Sequence, residues 1–256
     1  MANKALRKAL IEQQSDFDPA QGIDCGCVIH GQAYDWIYVE KLWGMLNRHF
    51  SYPVRLHVWT ERSRPVPPPF IRHDLEDWPG ISGPRRAWWY KMQMFDPKHF
   101  MGQMLYFDLD VVIVDNLDWI VACDRRYFWT LKDFKYLWRP QWTGMNSSVM
   151  YWDTARFPDI WQAFIQNDPL TVSRYYPGDQ DFLSKHLVPG RRQFFNELFF
   201  KSWRWQVHDG GMDMKNRTYA SPGAGAVIPT HTKVIVFHGR PKPMDVVDPI
   251  ILEAWQ

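Results

Sequence analysis

The order of apolar segments in the first sixty residues constrains the fold of this chain more than any other feature. Ile23 to His30 is a short apolar run that ends at a glycine, which predicts a buried strand followed by a loop. Apolar residues at helical spacing predict a helix over Asp35–Phe50, and the alternation in Val54–Thr60 predicts a second strand. A strand, a helix and a strand in this order form the opening unit of a parallel α/β sheet.

The rest of the chain is consistent with a single domain. A chain of 256 residues with 46% hydrophobic content can bury one large α/β core, and it contains no repeat or low-complexity linker. We predict an N-terminal helical extension over residues 1–22, one domain over residues 23–256, and a stiff surface connection at Pro65–Pro69. The remaining predicted strands are Met104–Phe107, Leu117–Ala122, Tyr127–Leu131, Gly144–Trp152 and Lys233–Phe237, and the remaining predicted helices are Arg86–Phe95, Pro158–Gln166 and Asp179–His186.

Charge, cysteine content and hydropathy exclude several classes of protein. The 30 basic and 28 acidic residues give a net charge of +2, so no global field attracts the chain to nucleic acid or to a membrane surface. Three cysteines without a CxxC pair favour a reducing compartment. The first twenty residues lack the apolar core of a signal peptide, and no apolar run reaches the length of a membrane span. The sequence therefore predicts a cytoplasmic protein without a transmembrane segment.

Two aspartates at the end of an apolar strand are the strongest sign of chemistry. The run from Met104 to Asp118 reads M-L-Y-F-D-L-D-V-V-I-V-D-N-L-D and contains Asp108 and Asp110. Residues two apart on a strand point to the same face, so both carboxylates can bind one divalent cation. A role in capping the strand or forming a turn is the alternative for such a pair.

Four polar sites fall at the same kind of position in the predicted sheet. His30, Asp108, Asn146 and His238 each lie at the end of a predicted strand or in the adjoining loop. Ligands of open α/β sheets bind just beyond the carboxyl ends of the strands. The sequence therefore predicts one ligand site at this edge.

Four motifs, taken in order, resemble those of a known family. Y-F-D-L-D, N-S-S-V-M, G-D-Q-D and F-H-G-R-P-K-P follow one another as in nucleotide-sugar glycosyltransferases of the GT-A fold. The chain most resembles glycosyltransferase family eight, which contains glycogenin and bacterial galactosyltransferases, over about residues 23 to 243. The resemblance implies an α/β, Rossmann-like, mixed and mainly parallel sheet flanked by helices. It also implies metal-dependent hexose transfer from a nucleotide-diphosphate sugar, by family default a UDP-sugar, with retention of anomeric configuration. The acceptor, whether glycan, lipid or protein, is not implied.

The resemblance assigns a metal site and a phosphate site. It implies that Asp108, Asp110 and His238 hold Mn²⁺ or Mg²⁺, and a nitrogen ligand beside carboxylates favours Mn²⁺. Gly239 and Lys242 follow His238, and Lys242 is expected to reach the diphosphate. The alternative for His238 is a histidine that closes a strand by hydrogen bonding. Lys91 is a second candidate for the diphosphate or the donor sugar, in competition with Arg85 and Arg86.

The resemblance also assigns the donor sugar and the base. Asp179 is expected to bind the sugar, and Gln180 is expected to stabilise charge near the anomeric carbon. Asn146 offers an amide to sugar hydroxyls, although an asparagine bonded to its own backbone in a turn is the alternative. A helix N-cap is the competing role for Asp179. The nucleobase and ribose are expected between His30, Tyr34 and the pair Thr60-Glu61.

Three questions remain open at this level. The aromatic-rich segment Phe194–Trp205 could face the acceptor, pack in the core or form a dimer surface. F-D-L-D-V-V-I-V also matches the nucleophile loop of haloacid-dehalogenase phosphohydrolases, but roughly a hundred residues precede it here and no later G-D-x-x-x-D follows. A non-catalytic module that binds nucleotide sugars is the other alternative.

Overall fold

A computed structural model describes residues 17–81 and 86–256. Its first unit consists of strand β1 (Ile23–Ile29), helix α1 (Ile37–His49) and strand β2 (Val54–Thr60). The two strands pair in parallel with Ile23 opposite Val54 and Ile29 opposite Thr60. This arrangement confirms the strand-helix-strand unit predicted from the apolar spacing.

Ten further strands follow along the chain. They are β3 (Ile71–Asp74), β4 (Gln103–Phe107), β5 (Val111–Ile113), β6 (Phe128–Lys132), β7 (Met145–Asp153), β8 (Arg192–Phe194), β9 (Phe200–Ser202), β10 (Met212–Asp213), β11 (Thr218–Tyr219) and β12 (Val234–Val236). The main sheet has seven strands in the order β3-β2-β1-β4-β7-β6-β8. Strand β7 runs antiparallel to both of its neighbours, and all other pairs in this sheet are parallel.

A small second sheet lies beside the main one. It has the order β5-β12-β9, in which β12 pairs antiparallel with β5 and parallel with β9. The remaining α-helices are α2 (Pro158–Ile165), α3 (Pro169–Tyr175), α4 (Asp179–His186) and α5 (Pro249–Ala254). Segments of 3₁₀-helix occupy Ala87–Phe95, Asp118–Ala122, Phe134–Leu137, Thr154–Arg156 and Pro243–Asp245, and a π-helical turn occupies Trp203–Val207.

The central strands of the main sheet are buried on both faces. In β4, Leu105 and Phe107 belong to one apolar cluster, whereas Met104 and Tyr106 belong to a second cluster on the opposite face. The first cluster includes the inner face of α1, and the second includes helix α2. Such burial requires the continuous apolar strands that the sequence contains. The protein is therefore a single mixed α/β domain whose main sheet is mostly parallel, as predicted.

Several predicted elements differ from those observed. Leu117–Ala122 was expected to be strand, but Asp118–Ala122 is a 3₁₀-helix. The predicted helix at Arg86–Phe95 is present from Ala87, also as 3₁₀-helix. Strands β3, β5, β8, β9, β10 and β11 and helices α3 and α5 were not predicted. The predicted helical extension falls mainly on residues 1–16, outside the described residues. No helix within 17–81 and 86–256 is both long and apolar enough to cross a membrane.

Candidate active site

Polar residues from three strands meet at one edge of the main sheet. Strands β1 and β4 are parallel and end next to His30 and Asp108, respectively. Because β7 is antiparallel, its first residues lie at this same edge, which brings Asn146 there. A backbone hydrogen bond from Asp108 to Ser148, 2.8 Å long, joins the aspartate turn to β7. The sheet therefore gathers the predicted residues as expected for ligand sites of α/β folds.

The small sheet brings the C-terminal motif to the same place. Val236 of β12 pairs with Val111 of β5, directly after the aspartate turn. The amide of Phe237 donates to the carbonyl of Asp110 at 3.0 Å, so the loop beginning at His238 starts beside the aspartates. Gly239 has φ +81°, a backbone conformation that favours glycine, and it is exposed.

These edges enclose a cavity of about 1320 Å³. Every site residue predicted by motif lines it: His30, Tyr34, Lys91, Asp108, Asp110, Asn146, Asp179, Gln180, His238, Gly239 and Lys242. Thr60 and Glu61, expected near the base, are not among the lining residues. Glu61 instead pairs with Arg64 at 2.7 Å. Of the competitors of Lys91, Arg86 does not line the cavity and Arg85 lies outside the described residues.

Lys91 joins two of the aspartates. Its ammonium lies 3.0 Å from Oδ1 of Asp108 and 3.2 Å from Oδ2 of Asp179, and it donates to Oγ of Ser147 at 3.2 Å. Ser147 in turn donates to Asp179 at 2.6 Å. The Tyr106 hydroxyl donates to Oδ1 of Asp108 at 2.5 Å. Lysine has three N–H donors, so this one is fully used within the protein.

The pKa values in this group follow from burial and pairing. Burial alone would lower the pKa of Lys91, but the charges of Asp108 and Asp179 outweigh it and raise that pKa. Burial would likewise raise the pKa of Asp108, but Lys91 and the Tyr106 hydroxyl outweigh it and lower that pKa. Pairing therefore favours the charged forms of both Lys91 and Asp108 in spite of their burial.

Asp110 lies in a second network. Tyr34 donates to its Oδ2 at 2.9 Å, and the ammonium of Lys242 pairs with the same oxygen. Lys242 also lies 5.4 Å from the centre of the Tyr34 ring. Burial and the charge of Asp108 raise the pKa of Asp110, and Lys242 and Tyr34 offset only part of that rise. Two neighbouring carboxylates with too little positive charge between them form the kind of site that a dication stabilises.

His238 is half-buried between aromatic rings. Its ring centre lies 4.2 Å from that of Trp205 and 5.4 Å from that of Phe134, and Nε2 lies 2.7 Å from Oγ of Ser202. Burial lowers the pKa of His238 to about 4, which keeps the imidazole neutral at pH 7. A neutral imidazole is the form that ligates metals, and Nδ1 is the nitrogen that remains for that role.

The carboxylates of Asp108 and Asp110 and the imidazole of His238 are ligand types that a divalent cation accepts, but they are not arranged as a preformed metal site. Among residues 17–81 and 86–256, no three acidic, cysteine or histidine side chains are grouped closely enough to hold a metal. Both hydrogen bonds to Asp110 use Oδ2, and Lys242 stands where a cation would interact with that oxygen.

The hydrogen bonds decide between the alternatives for Asp179 and Asn146. Gly178 is the N-cap of α4, so the N-cap role considered for Asp179 is wrong, and its carboxylate instead binds Lys91 and Ser147. Asn146 accepts a hydrogen bond from the Ser148 amide at 3.0 Å, as in the turn considered for it. Its side chain nonetheless lines the cavity. Gln180 is half-buried in the first turn of α4.

Several contacts of the site were not predicted. Tyr106 precedes Asp108 by two residues on β4, and the strand period of two would have placed it beside that carboxylate. Ser202 fixes His238, but it lies at the end of a short strand in a different part of the chain and carries no local signal. The Tyr34 hydroxyl donates to Asp110, and His30 stacks on Tyr90 with ring centres 3.6 Å apart. Both residues line the cavity.

The lining of the cavity is acidic overall. It contains six carboxylates and four cationic groups, a formal difference of two negative charges, and both of its histidines have lowered pKa values because they are buried. An anionic ligand entering such a cavity needs added positive charge. The carboxylates are Asp35, Asp108, Asp110, Asp179, Asp181 and Asp245, and the cations are Lys91, Lys135, Arg240 and Lys242.

Solved structures of similar fold are glycosyltransferases. An LgtC mutant with an active-site glutamine changed to glutamate is 16% identical, over 86% of this chain and 89% of LgtC, with a TM-score of 0.58. The galactosyltransferase LgtC in complex with donor and acceptor sugar analogues is 15% identical, over 91% and 92%, with a TM-score of 0.56. Apo GlyE from Streptococcus pneumoniae is 14% identical, over 91% of this chain and 59% of GlyE, with a TM-score of 0.62. No protein-family model and no curated sequence matches the chain.

These similarities define the fold as that of the GT-A glycosyltransferases. They confirm the predicted architecture. The position of the aspartate pair counts against the phosphohydrolase alternative. Within the described residues the pair follows the fourth strand, whereas the phosphohydrolase loop follows the first. Function has to be argued from the site itself.

Proposed function

We propose that this protein is a metal-dependent glycosyltransferase that moves a hexose from a nucleotide-diphosphate sugar, by preference a UDP-sugar, to an acceptor. The observation that carries the proposal is the cavity in which Asp108 and Asp110 lie at the sheet edge with Lys91 and Lys242 as their partners. Its volume exceeds that of most small-ligand pockets, which are about 300–1,000 Å³. A nucleotide sugar is an extended ligand that needs such space.

The charge of the cavity supports an added cation. A diphosphate would enter a lining that is already negative, so binding requires positive charge beyond the lysines present. Asp108, Asp110 and neutral His238 are the ligands proposed for Mn²⁺. A dication there supplies neutralisation of the charge that develops on the leaving diphosphate.

The chain's own groups have separate roles in this proposal. Lys242 pairs with the carboxylate of Asp110 and can turn to a phosphate oxygen that enters beside it. Gly239 exposes backbone with no Cβ in the way of the ligand. Asp179, which pairs with Lys91, accepts hydrogen bonds from hydroxyls of the donor sugar. Gln180 stabilises charge near the anomeric carbon, and transfer proceeds with retention.

Nucleotide binding tests this proposal directly. Calorimetry should detect UDP binding in the presence of Mn²⁺, and EDTA should abolish it because the cavity cannot neutralise a diphosphate by itself. UMP, which lacks the second phosphate, should bind more weakly. Failure of UDP, GDP and ADP alike to bind with Mn²⁺ would refute the proposal. Hydrolysis of UDP-glucose or UDP-galactose then separates an enzyme from a non-catalytic module, which would bind UDP without turnover.

Replacing Gln180 tests its proposed role. Gln180→Ala should lower sugar transfer or donor hydrolysis by about a hundredfold, the effect of removing one preorganised polar group at a reacting centre. UDP affinity should change little, because the group is proposed to act on the sugar and not on the diphosphate. Gln162→Ala, at an exposed position of α2, is the matched control. An unchanged rate in Gln180→Ala would remove this residue from the mechanism.

A further inference from the structure

An aromatic surface continues outward from the cavity wall. The rings of Trp138 and Trp205 pack edge to face with centres 4.7 Å apart. Trp138 is 36% exposed, and Trp205 is half-buried. The Trp205 ring lies 4.2 Å from that of His238, which lines the cavity. The tryptophan pair is therefore contiguous with the proposed donor site.

The backbone holds these rings in place from two directions. Trp138 follows the 3₁₀-turn Phe134–Leu137, which comes directly after β6 and Asp133. Trp205 lies in the middle of the π-helical turn Trp203–Val207, and its amide donates to Oγ of Ser202 at 3.1 Å. The same Ser202 oxygen contacts His238. Turns of π-helix occur frequently at functional sites.

Two exposed arginines flank the tryptophans. Arg139 follows Trp138, and Arg204 precedes Trp205. Both are exposed, and neither forms an ion pair with any residue in the part of the chain that the structure describes. Arg204 is close enough to His238 to contribute to the lowering of its pKa. This surface is thus cationic, whereas the cavity it adjoins is acidic.

The surface lies at the end of the cavity where the donor sugar is expected. Lys135, in the turn before Trp138, lines the cavity, and it is close enough to Asp181 for its charge to oppose the rise that burial causes in the pKa of Asp181. Asp181 follows Gln180 in the first turn of α4. An acceptor on the tryptophans would therefore approach the anomeric carbon from the side of Gln180.

We propose that Trp138, Arg139, Arg204 and Trp205 form the acceptor-binding surface and that the acceptor is an acidic oligosaccharide. This inference rests on the glycosyltransferase activity proposed above. Indole faces pack well on the apolar faces of sugar rings. Guanidinium groups bind carboxylates and phosphates in bidentate fashion, and these two have no acidic partner in the described protein. A neutral glycan could accept their hydrogen bonds but would leave both charges unpaired.

Binding of defined oligosaccharides tests the inference without requiring turnover. The probes are tetragalacturonate (carboxylated), pentamannose phosphate (phosphorylated) and maltotetraose (neutral), titrated calorimetrically. At least one acidic probe should bind the wild-type protein roughly tenfold more tightly than maltotetraose does. Arg204→Gln should remove this preference. Trp205→Ala should weaken binding of the acidic probe by roughly tenfold or more. The two acidic probes distinguish carboxylate from phosphate recognition.

Matched variants separate binding from folding. Trp205→Phe keeps an aromatic face and should retain much of the affinity, while Arg126→Gln removes an exposed charge at the opposite edge of the sheet, before β6 begins, and should change nothing. The inference would be overturned if maltotetraose bound as tightly as the acidic probes or if no probe bound. It would also be overturned if the surface bound a peptide or RNA in place of sugars. UDP binding is measured alongside. If UDP fails to bind, the proposed activity fails, whereas the oligosaccharide titration still decides what this surface binds.

Discussion

Asp110→Asn should abolish Mn²⁺-dependent UDP binding and donor turnover while leaving the protein at least as stable as the wild type. The asparagine keeps the shape of the side chain but removes the charge that a metal ligand needs. Activity should fall by more than about a hundredfold. Replacing residues that only hydrogen-bond to metal ligands already lowers metal affinity or activity by up to about a hundredfold. Asp110 thus serves binding more than folding.

The expected stability of Asp110→Asn follows from the raised pKa of Asp110 in the folded protein. Burial and Asp108 raise the pKa of Asp110, so the folded state holds its ionised form less readily than the unfolded chain does. A raised carboxyl pKa contributes stability only at acidic pH, and that contribution is lost as pH rises through the folded value. Removing the charge at pH 7 therefore relieves repulsion, as is common at functional sites.

Urea unfolding and calorimetry on the same samples provide the measurement. Asp115→Asn is the control, because Asp115 lies five residues further on, is half exposed at its side chain, and forms a surface ion pair with Lys233. It should leave UDP binding unchanged. If Asp110→Asn instead unfolded at clearly lower urea while still binding UDP, Asp110 would be a structural residue and the metal assignment would be wrong.

The fold was predictable wherever a segment's apolar period matched its final environment. The unit β1-α1-β2 and strand β4 follow directly from that period. Strand β3 has a single apolar residue, Ile71, because it is an edge strand that is half exposed, and so it gives no clear signal. Asp118–Ala122 is apolar, short and buried, and a run of that kind fits a strand and a helical turn equally well.

The division between two sheets at the aspartate turn was not visible in the sequence. Residues 104–114 form one apolar run interrupted only by the aspartates, yet β4 joins the main sheet and β5 joins β12. That division depends on hydrogen bonds from distant segments, at Ser148 and Phe237. Local pattern carries no information about such partners.

For the site, location was predictable and pairing was not. His30 and Asp108 share one cavity because the parallel strands β1 and β4 end at the same sheet edge. Asn146 reaches that edge from the start of antiparallel β7, and His238 reaches it from the small sheet. Lys91 was considered for the diphosphate or the donor sugar, but its three donors are used by Asp108, Asp179 and Ser147. These partners lie far apart in sequence, and only tertiary packing decides which acid a buried lysine meets.

Lys91→Met should destabilise the protein by about 3–5 kcal/mol, the cost of leaving a buried charge without its partner. Methionine fills a similar volume, so the loss reflects charge more than packing. Asp108 and Asp179 would both remain in the interior without the lysine. Lys98→Met is the control, since Lys98 is about half exposed in its pairs with Glu76 and Asp96, and surface pairs contribute about 0–1 kcal/mol.

The pH dependence of that loss identifies its cause. In the wild type the pKa of Asp108 is lowered, so its contribution to stability is present above the unfolded value and is lost as pH falls through the folded one. In Lys91→Met the carboxyl pKa values should rise, and protonation at lower pH should relieve the unpaired charges. The difference in unfolding free energy between wild type and Lys91→Met, measured in urea, should therefore be largest near pH 7 and smaller near pH 5. Adding Asp179→Asn to Lys91→Met should recover part of the loss at pH 7. A difference that stays constant with pH, or that the second substitution does not reduce, would show that Lys91 stabilises the fold by packing and not by neutralising these aspartates.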